Sequence, residues 1–109
     1  MRETEFEMYF GDSIRRFCLS PEMIAELERM NGAGIGVIYG RVLGGTFTHA
    51  DIVQTIRLAL IGGGENPERA SQLIETYAKP RPISELIPLA VEIFAVTWIG
   101  KPEEGQPDV

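Results

Sequence analysis

The sequence is poor in the groups that most often carry chemistry. It has one cysteine, Cys18, and one histidine, His49, in 109 residues. A single cysteine closes no intramolecular disulfide, which fits a reducing compartment. One cysteine and one histidine make no thiolate zinc site. Positive charge is also scarce: 10 Lys and Arg face 16 Asp and Glu, giving a net charge of −6 and a pI of about 4.7. A nucleic-acid binder needs the opposite balance, because it works by releasing counterions from phosphate. No nucleic-acid partner is expected, and the acidity reads as an aid to solubility. No uninterrupted apolar stretch approaches the ~18 residues of a membrane span. The start, Met1-Arg2-Glu3-Thr4-Glu5, has no apolar run behind it of the kind a signal peptide carries. The expectation is a soluble, cytoplasmic protein with no membrane partner.

What is present suffices for one domain. Hydrophobic residues make up 44% and charged residues 24% of the chain, the proportions of a folded domain rather than a disordered one. The length suits a single modest core.

Residues 4 to 19 read as a β-hairpin. Phe6, Met8 and Phe10 alternate with Glu5, Glu7 and Tyr9, the period of a half-buried strand. Gly11-Asp12 suits a two-residue turn, because glycine accepts the positive φ that a type II′ turn needs first. That register sets Phe6 across from Phe17 and Glu7 across from Arg16. An aromatic pair and an ion pair each support it by roughly 0.2–1 kcal/mol. A lone hairpin is marginal in water, so its apolar face must rest on helices.

Helix signals follow. Ser20-Pro21-Glu22 caps and starts the first helix; Met23, Ile24, Leu27 and Met30 share one face, and Asn31-Gly32 ends it. A short helix is expected over Ile35 to Leu43, weakened by its glycines, with a strand as the competing reading. Thr48 and Asp51 make a capping-box-like pair before a helix from His49 to Ile61, whose apolar face holds Ile52, Val53, Ile56 and Leu60. Asn66-Pro67-Glu68 starts another, with Ala70, Leu73, Ile74, Tyr77 and Ala78 as its stripe. Pro80-Arg81-Pro82 is a rigid connector. The last helix spans about Ile83 to Ile99 and is apolar nearly all round, so it is either central or meets a partner. Pro88 either marks its true start or bends it. The expected fold class is α+β, helix-dominant, with an N-terminal hairpin and about four to five helices. They form one domain over residues 1–100, with 101–109 a disordered acidic tail.

A search for chemistry finds none. Gly32-x-Gly34-x-Gly36 has the wrong spacing and the wrong preceding element for a dinucleotide loop. Gly62-Gly63-Gly64 lacks the Gly-Lys-Ser/Thr of a P-loop, and Glu65 beside it repels phosphate, so it reads as a helix stop. His49 sits at a helix start, exposed, with no nucleophile or orienting acid implied. Cys18 lies near Arg15 and Arg16, which favours a thiolate, but without a partner base it reads as a packing residue. Carboxylates are scattered. No catalytic residue, cofactor or metal is expected, and the chain is not expected to be an enzyme. Arg57 interrupts an apolar helix, and Arg81 sits between two prolines. Each is either a solvated, snorkelling side chain or a structural ion pair or partner contact.

A resemblance then adds to this reading. Phe17-x-Leu19, Ile24-Ala25-x-Leu27-Glu28 and Gly32-x-Gly34 make up its first half. Asp51-Ile52 and Ile56-Arg57-Leu58-Ala59-Leu60-Ile61-Gly62-Gly63-Gly64 are its most specific part. Ala70-x-x-Leu73, Tyr77, Arg81-Pro82-Ile83, Leu89-Ala90 and Trp98-x-Gly100 continue it in order. Over about residues 5 to 100 the chain resembles the gene transfer agent tail assembly chaperones, a family also labelled phage tail tube protein. The resemblance implies a bacterial cytoplasmic protein that binds the tape measure protein non-covalently before tube subunits polymerise around it. Tail tube protein is a further partner, and self-association is open. The alternative it implies is a structural tail component retained in the particle. It brings no catalytic residue. Partner contacts are expected at Arg57, Arg81, Phe94 and Trp98. The last two follow from the surplus apolar surface of the final helix, which suits covering apolar helices on an elongated client.

Overall fold

The computed structural model describes residues 3–101. Residues 102–109, which hold nearly all of the expected tail, lie outside the described residues. The chain forms an N-terminal two-stranded antiparallel hairpin followed by five helices.

Strands β1 (Glu5–Phe10) and β2 (Ser13–Cys18) pair in the expected register, with Phe6 opposite Phe17 and Glu7 opposite Arg16. Gly11 has φ +73°, and no described non-glycine residue has positive φ, so the turn carries the signs of type II′. Phe6 and Phe17 stack with centroids 5.5 Å apart. Two side chains depart from simple alternation. Met8 is in phase with the buried Phe6 and Phe10 yet exposed, and Glu5 is buried at the hairpin's open end. The Arg16 cation turns to Glu5 (3.6 Å), its diagonal neighbour, rather than to Glu7 opposite.

Helix α1 (Pro21–Asn31) begins where Ser20 Oγ accepts the Met23 N–H and stops at Gly32 in the left-handed region. Residues 35–43 are helical, not a strand, within α2 (Ile35–Gly44). Helix α3 (His49–Gly62) carries a complete capping box: Thr48 Oγ1 accepts the Asp51 N–H, and Asp51 Oδ2 accepts the Thr48 N–H. Asp fills the role more often given to Glu or Gln.

Helix α4 (Pro67–Leu73), capped by Asn66, runs into a π turn over Ile74–Ala78 that periodicity does not reveal. There the Lys79 N–H reaches back five residues to the Ile74 carbonyl, at 2.9 Å. The turn carries Tyr77 to the hairpin, edge-on to Phe10 at 6.3 Å. Helix α5 (Ile83–Ile99) continues without a break across Pro88, which is exposed. Its missing N–H costs only the bond to Ser84, whose carbonyl lies in the exposed first turn.

The central helix is α3, not α5. Asp51, Ile52, Val53, Thr55, Ile56, Leu58, Ala59 and Leu60 are all buried, and α3 touches β2 and every other helix. Its last residues explain two of the three consecutive glycines. An added Cβ would fall 1.9 Å from the Cys18 carbonyl oxygen at Gly62, and 2.3 Å from that of Arg16 at Gly63. Both oxygens are backbone atoms of β2. The glycines do more than end the helix: they let it lie directly on the strand. Gly40 in α2 has nothing within 4 Å of its would-be Cβ. Gly62→Ala is therefore expected to cost at least about 2 kcal/mol in urea unfolding. Gly40→Ala should gain roughly 0.5–1 kcal/mol, because the helix alone feels it.

Candidate functional site

Helix α2 is a weak helix by composition, Ile-Gly-Val-Ile-Tyr-Gly-Arg-Val-Leu-Gly, with three glycines and four β-branched residues. Contacts from its neighbours hold it. At its start Gly34 provides no side-chain cap, and Glu28 of α1 accepts the Ile35 N–H at 2.8 Å instead. Near its end Arg41 donates to Asp51 Oδ1 at 2.8 Å, and Asn31 of α1 reaches the same oxygen at 2.9 Å. Ile38 and Val42 are its buried face.

Asp51 is therefore a junction of α1, α2 and α3, with no exposed surface of its own. Burial pushes its pKa up, but the Thr48 backbone N–H, the Arg41 and Asn31 hydrogen bonds and the Arg41 charge together outweigh it. The net displacement is downward from the usual carboxylate value.

With its inner face fixed, α2 turns Gly36, Gly40 and Gly44 outward, one turn apart on a single stripe, flanked by Leu43 and Val37. Leu43 is 61% exposed and Val37 58%. The helix's one charged residue, Arg41, is spent on Asp51. An aromatic column joins this face to the core. Phe94 is fully buried and stacks on Tyr39 at 5.1 Å, and Tyr39 meets Trp98 at 5.7 Å. The Trp98 ring lies beside Gly36, 3.5 Å from where a Cβ would stand, an ordinary contact distance. Trp98 is 58% exposed and Ile99 81%. The result is an uncharged, largely apolar surface made of α2 and the end of α5.

The residues expected to meet a partner do not converge. Trp98 lies on this surface. Phe94 is core: it sits beneath Tyr39 with no exposed area, so direct partner contact is corrected to support from below. Arg57 bridges α3 to α1, donating to Gln54 Oε1 at 2.7 Å and to Met30 Sδ at 3.5 Å. Arg81 pairs with Glu85 one turn on, at 3.1 Å and in solvent. Val37, Leu43 and the glycines escape a reading that scores hydrophobic periodicity, although the i, i+4, i+8 glycine spacing was a usable signal.

Elsewhere, Cys18 is buried with its sulfur 3.4 Å from Thr4 Oγ1, and His49 is exposed at the first turn of α3. Among the described residues no cluster of three His, Cys, Asp or Glu is placed to hold a metal ion, and no helix is long and apolar enough to cross a membrane.

A family model described as "Phage tail tube protein, GTA-gp10" matches residues 3–100. The chain belongs to this family. Membership makes it a phage-type tail protein of the gene transfer agent kind, in line with the resemblance read from its residues. Comparison with curated proteins and with solved structures gave no match.

The Asp51 junction makes a pH prediction. A carboxylate whose folded pKa is depressed stabilises the fold above its unfolded pKa, near 4. That stabilisation drains away as pH falls through the lower folded value. Asp51→Asn should cost about 2–3 kcal/mol at neutral pH, since Arg41 loses its counter-charge. Urea titrations should show the gap between parent and variant closing as pH drops below about 4.

Proposed function

We propose that this tail protein is an assembly chaperone that binds the tape measure protein non-covalently in the bacterial cytoplasm while the tail is built, and that it performs no catalysis. The observation that carries this reading is the surface of α2 and Trp98. A partner helix laid there meets glycine backbone along its centre and Leu43, Val37 and the indole at its sides. Small residues let two helices approach closely, and the flanking side chains then pack against the visitor. An uncharged face of this kind suits an elongated client with apolar helical stretches, and it can recognise a repeated pattern at several places along one chain. Tail tube protein is a second partner on this reading.

The family description supports a second reading, in which the protein is a structural part of the tube. That role needs two complementary faces for ring or stacked assembly. It also leaves the protein at high copy number in purified particles. The chaperone reading leaves it in lysates, bound to tape measure protein and scarce in particles.

Co-expression tests the proposal. The tape measure protein should become soluble only when this chain is present. If it is equally soluble without it, the chaperone role fails. Leu43→Glu and Trp98→Ala, both at exposed positions, should keep the thermal midpoint within a few degrees of the parent. Each should weaken client binding by about tenfold or more. Full client binding by both variants would remove this surface from the mechanism.

A further inference from the structure

The hairpin has two edges, and one of them is covered. On the β2 side the carbonyls of Arg16 and Cys18 point out of the hairpin toward Gly63 and Gly62. In an antiparallel ladder, residues whose backbone groups point outward belong to the non-hydrogen-bonded pairs. Their partners on β1, Glu7 and Glu5, therefore also point outward, and by alternation so does Tyr9 opposite Ile14. No third strand joins the sheet. Glu7, Met8 and Tyr9 are exposed, and among the described residues no backbone group outside the hairpin bonds to Glu7 or Tyr9. The N–H and C=O groups of these two residues form an open row.

We infer that this edge of β1 receives an added strand from a partner chain, in a segment that is extended and basic with apolar residues between the charges. The backbone part is strand addition: Glu7 and Tyr9 offer two donors and two acceptors about 7 Å apart along the strand. The side chains select the visitor. Glu5 and Glu7 alternate along this edge, and just before it the Glu3 carbonyl takes the Lys101 N–H at 2.7 Å. Glu5 is engaged with Arg16, whereas Glu7 is exposed and has no cationic partner among the described residues. Tyr9 follows on the same face, 63% exposed. A Lys or Arg opposite Glu7 with an apolar residue opposite Tyr9 satisfies both positions.

Two other occupants fit worse. A second copy pairing β1 to β1 antiparallel about Glu7 sets the two Glu7 side chains opposite each other, and like charges directly opposite destabilise a sheet. The chain's own segment after Lys101, Pro-Glu-Glu-Gly-Gln-Pro-Asp-Val, brings three acids, no base and two prolines without N–H. Glu7 and Tyr9 belong to β1 and not to the α2 surface, so the inference does not rest on the chaperone role.

The test uses the full chain and two short synthetic peptides with threonine at every second position; the remaining positions take lysine and valine in turn in one, and glutamate and valine in turn in the other, so that a charge and a valine fall two apart on one face. Calorimetry should detect binding of the lysine peptide only, and binding should weaken as salt rises. Amide exchange by NMR should show the Glu7 and Tyr9 N–H groups unprotected alone and protected with the lysine peptide. Glu7→Lys, which leaves the backbone intact, should weaken binding by about tenfold. Glu7→Pro deletes an outward N–H that the hairpin ladder does not use, and should do the same. If that variant does not fold, Glu7→Lys decides. Equal binding of both peptides, unprotected amides at Glu7 and Tyr9 in the complex, or an unaffected Glu7→Lys variant overturns the inference. So does a dimer in sedimentation that Glu7→Lys alters, which would give the edge to a second copy. Failure of tape measure solubilisation bears on none of these readings.

Discussion

The carboxylate of Asp51 is wholly removed from water, and a charge so placed persists only where donors replace the hydration it gave up. The Thr48 N–H, the Asn31 amide and the Arg41 guanidinium are those donors, and they come from the start of α3, the end of α1 and the last turns of α2. The residue is satisfied only when three separate segments have arrived. Its own carbonyl takes the Thr55 hydroxyl at 2.6 Å, so a second buried polar group is also accounted for. A junction of this kind specifies arrangement more than it adds stability, since a hydrophobic replacement of similar volume can be equally stable.

The placement of α2 follows from that junction. A sequence with glycine at every fourth position does not sustain an isolated helix in water. Glu28 at one end, Asp51 near the other, and Ile38 and Val42 between them supply what the composition lacks. Glycines that weaken the helix intrinsically are thereby kept on its outward side, Gly36 beside the Trp98 ring and Gly40 and Gly44 with nothing over them. The opposite use of glycine occurs at Gly62 and Gly63, which disappear into a contact with β2 that no side chain could enter. Together the two devices leave α3 surrounded and α2 at the surface.

Local rules made much of the fold legible. The hairpin register followed from a two-residue loop with glycine first, because loop length and phase leave one pairing that puts Phe6 and Phe17 together. The starts of α1, α3 and α4 followed from Ser20, Thr48 and Asn66, whose side chains do accept backbone N–H groups. What stayed hidden depends on contacts distant in sequence. The helical state of residues 35–44 is decided by Glu28 and Asp51. The π turn at Ile74–Ala78 breaks no visible pattern. The identity of the central helix could not be read from apolar content, which pointed to α5. The candidate surface was legible in one residue, Trp98. Phe94 was assigned to the surface because a helix apolar all round does not reveal which side faces the core. Arg57 and Arg81 stood out as charges in apolar or rigid settings, yet each has a local partner.

Trp98 is the sole indole in the chain, and it stands half in solvent at the junction of α2 and α5. Its emission therefore reports on one spot of the molecule and on no other. Any macromolecule that covers this spot must dehydrate the ring, which shifts the emission to shorter wavelength. The end of the aromatic column is in this sense an optical gauge of occupancy that needs no label.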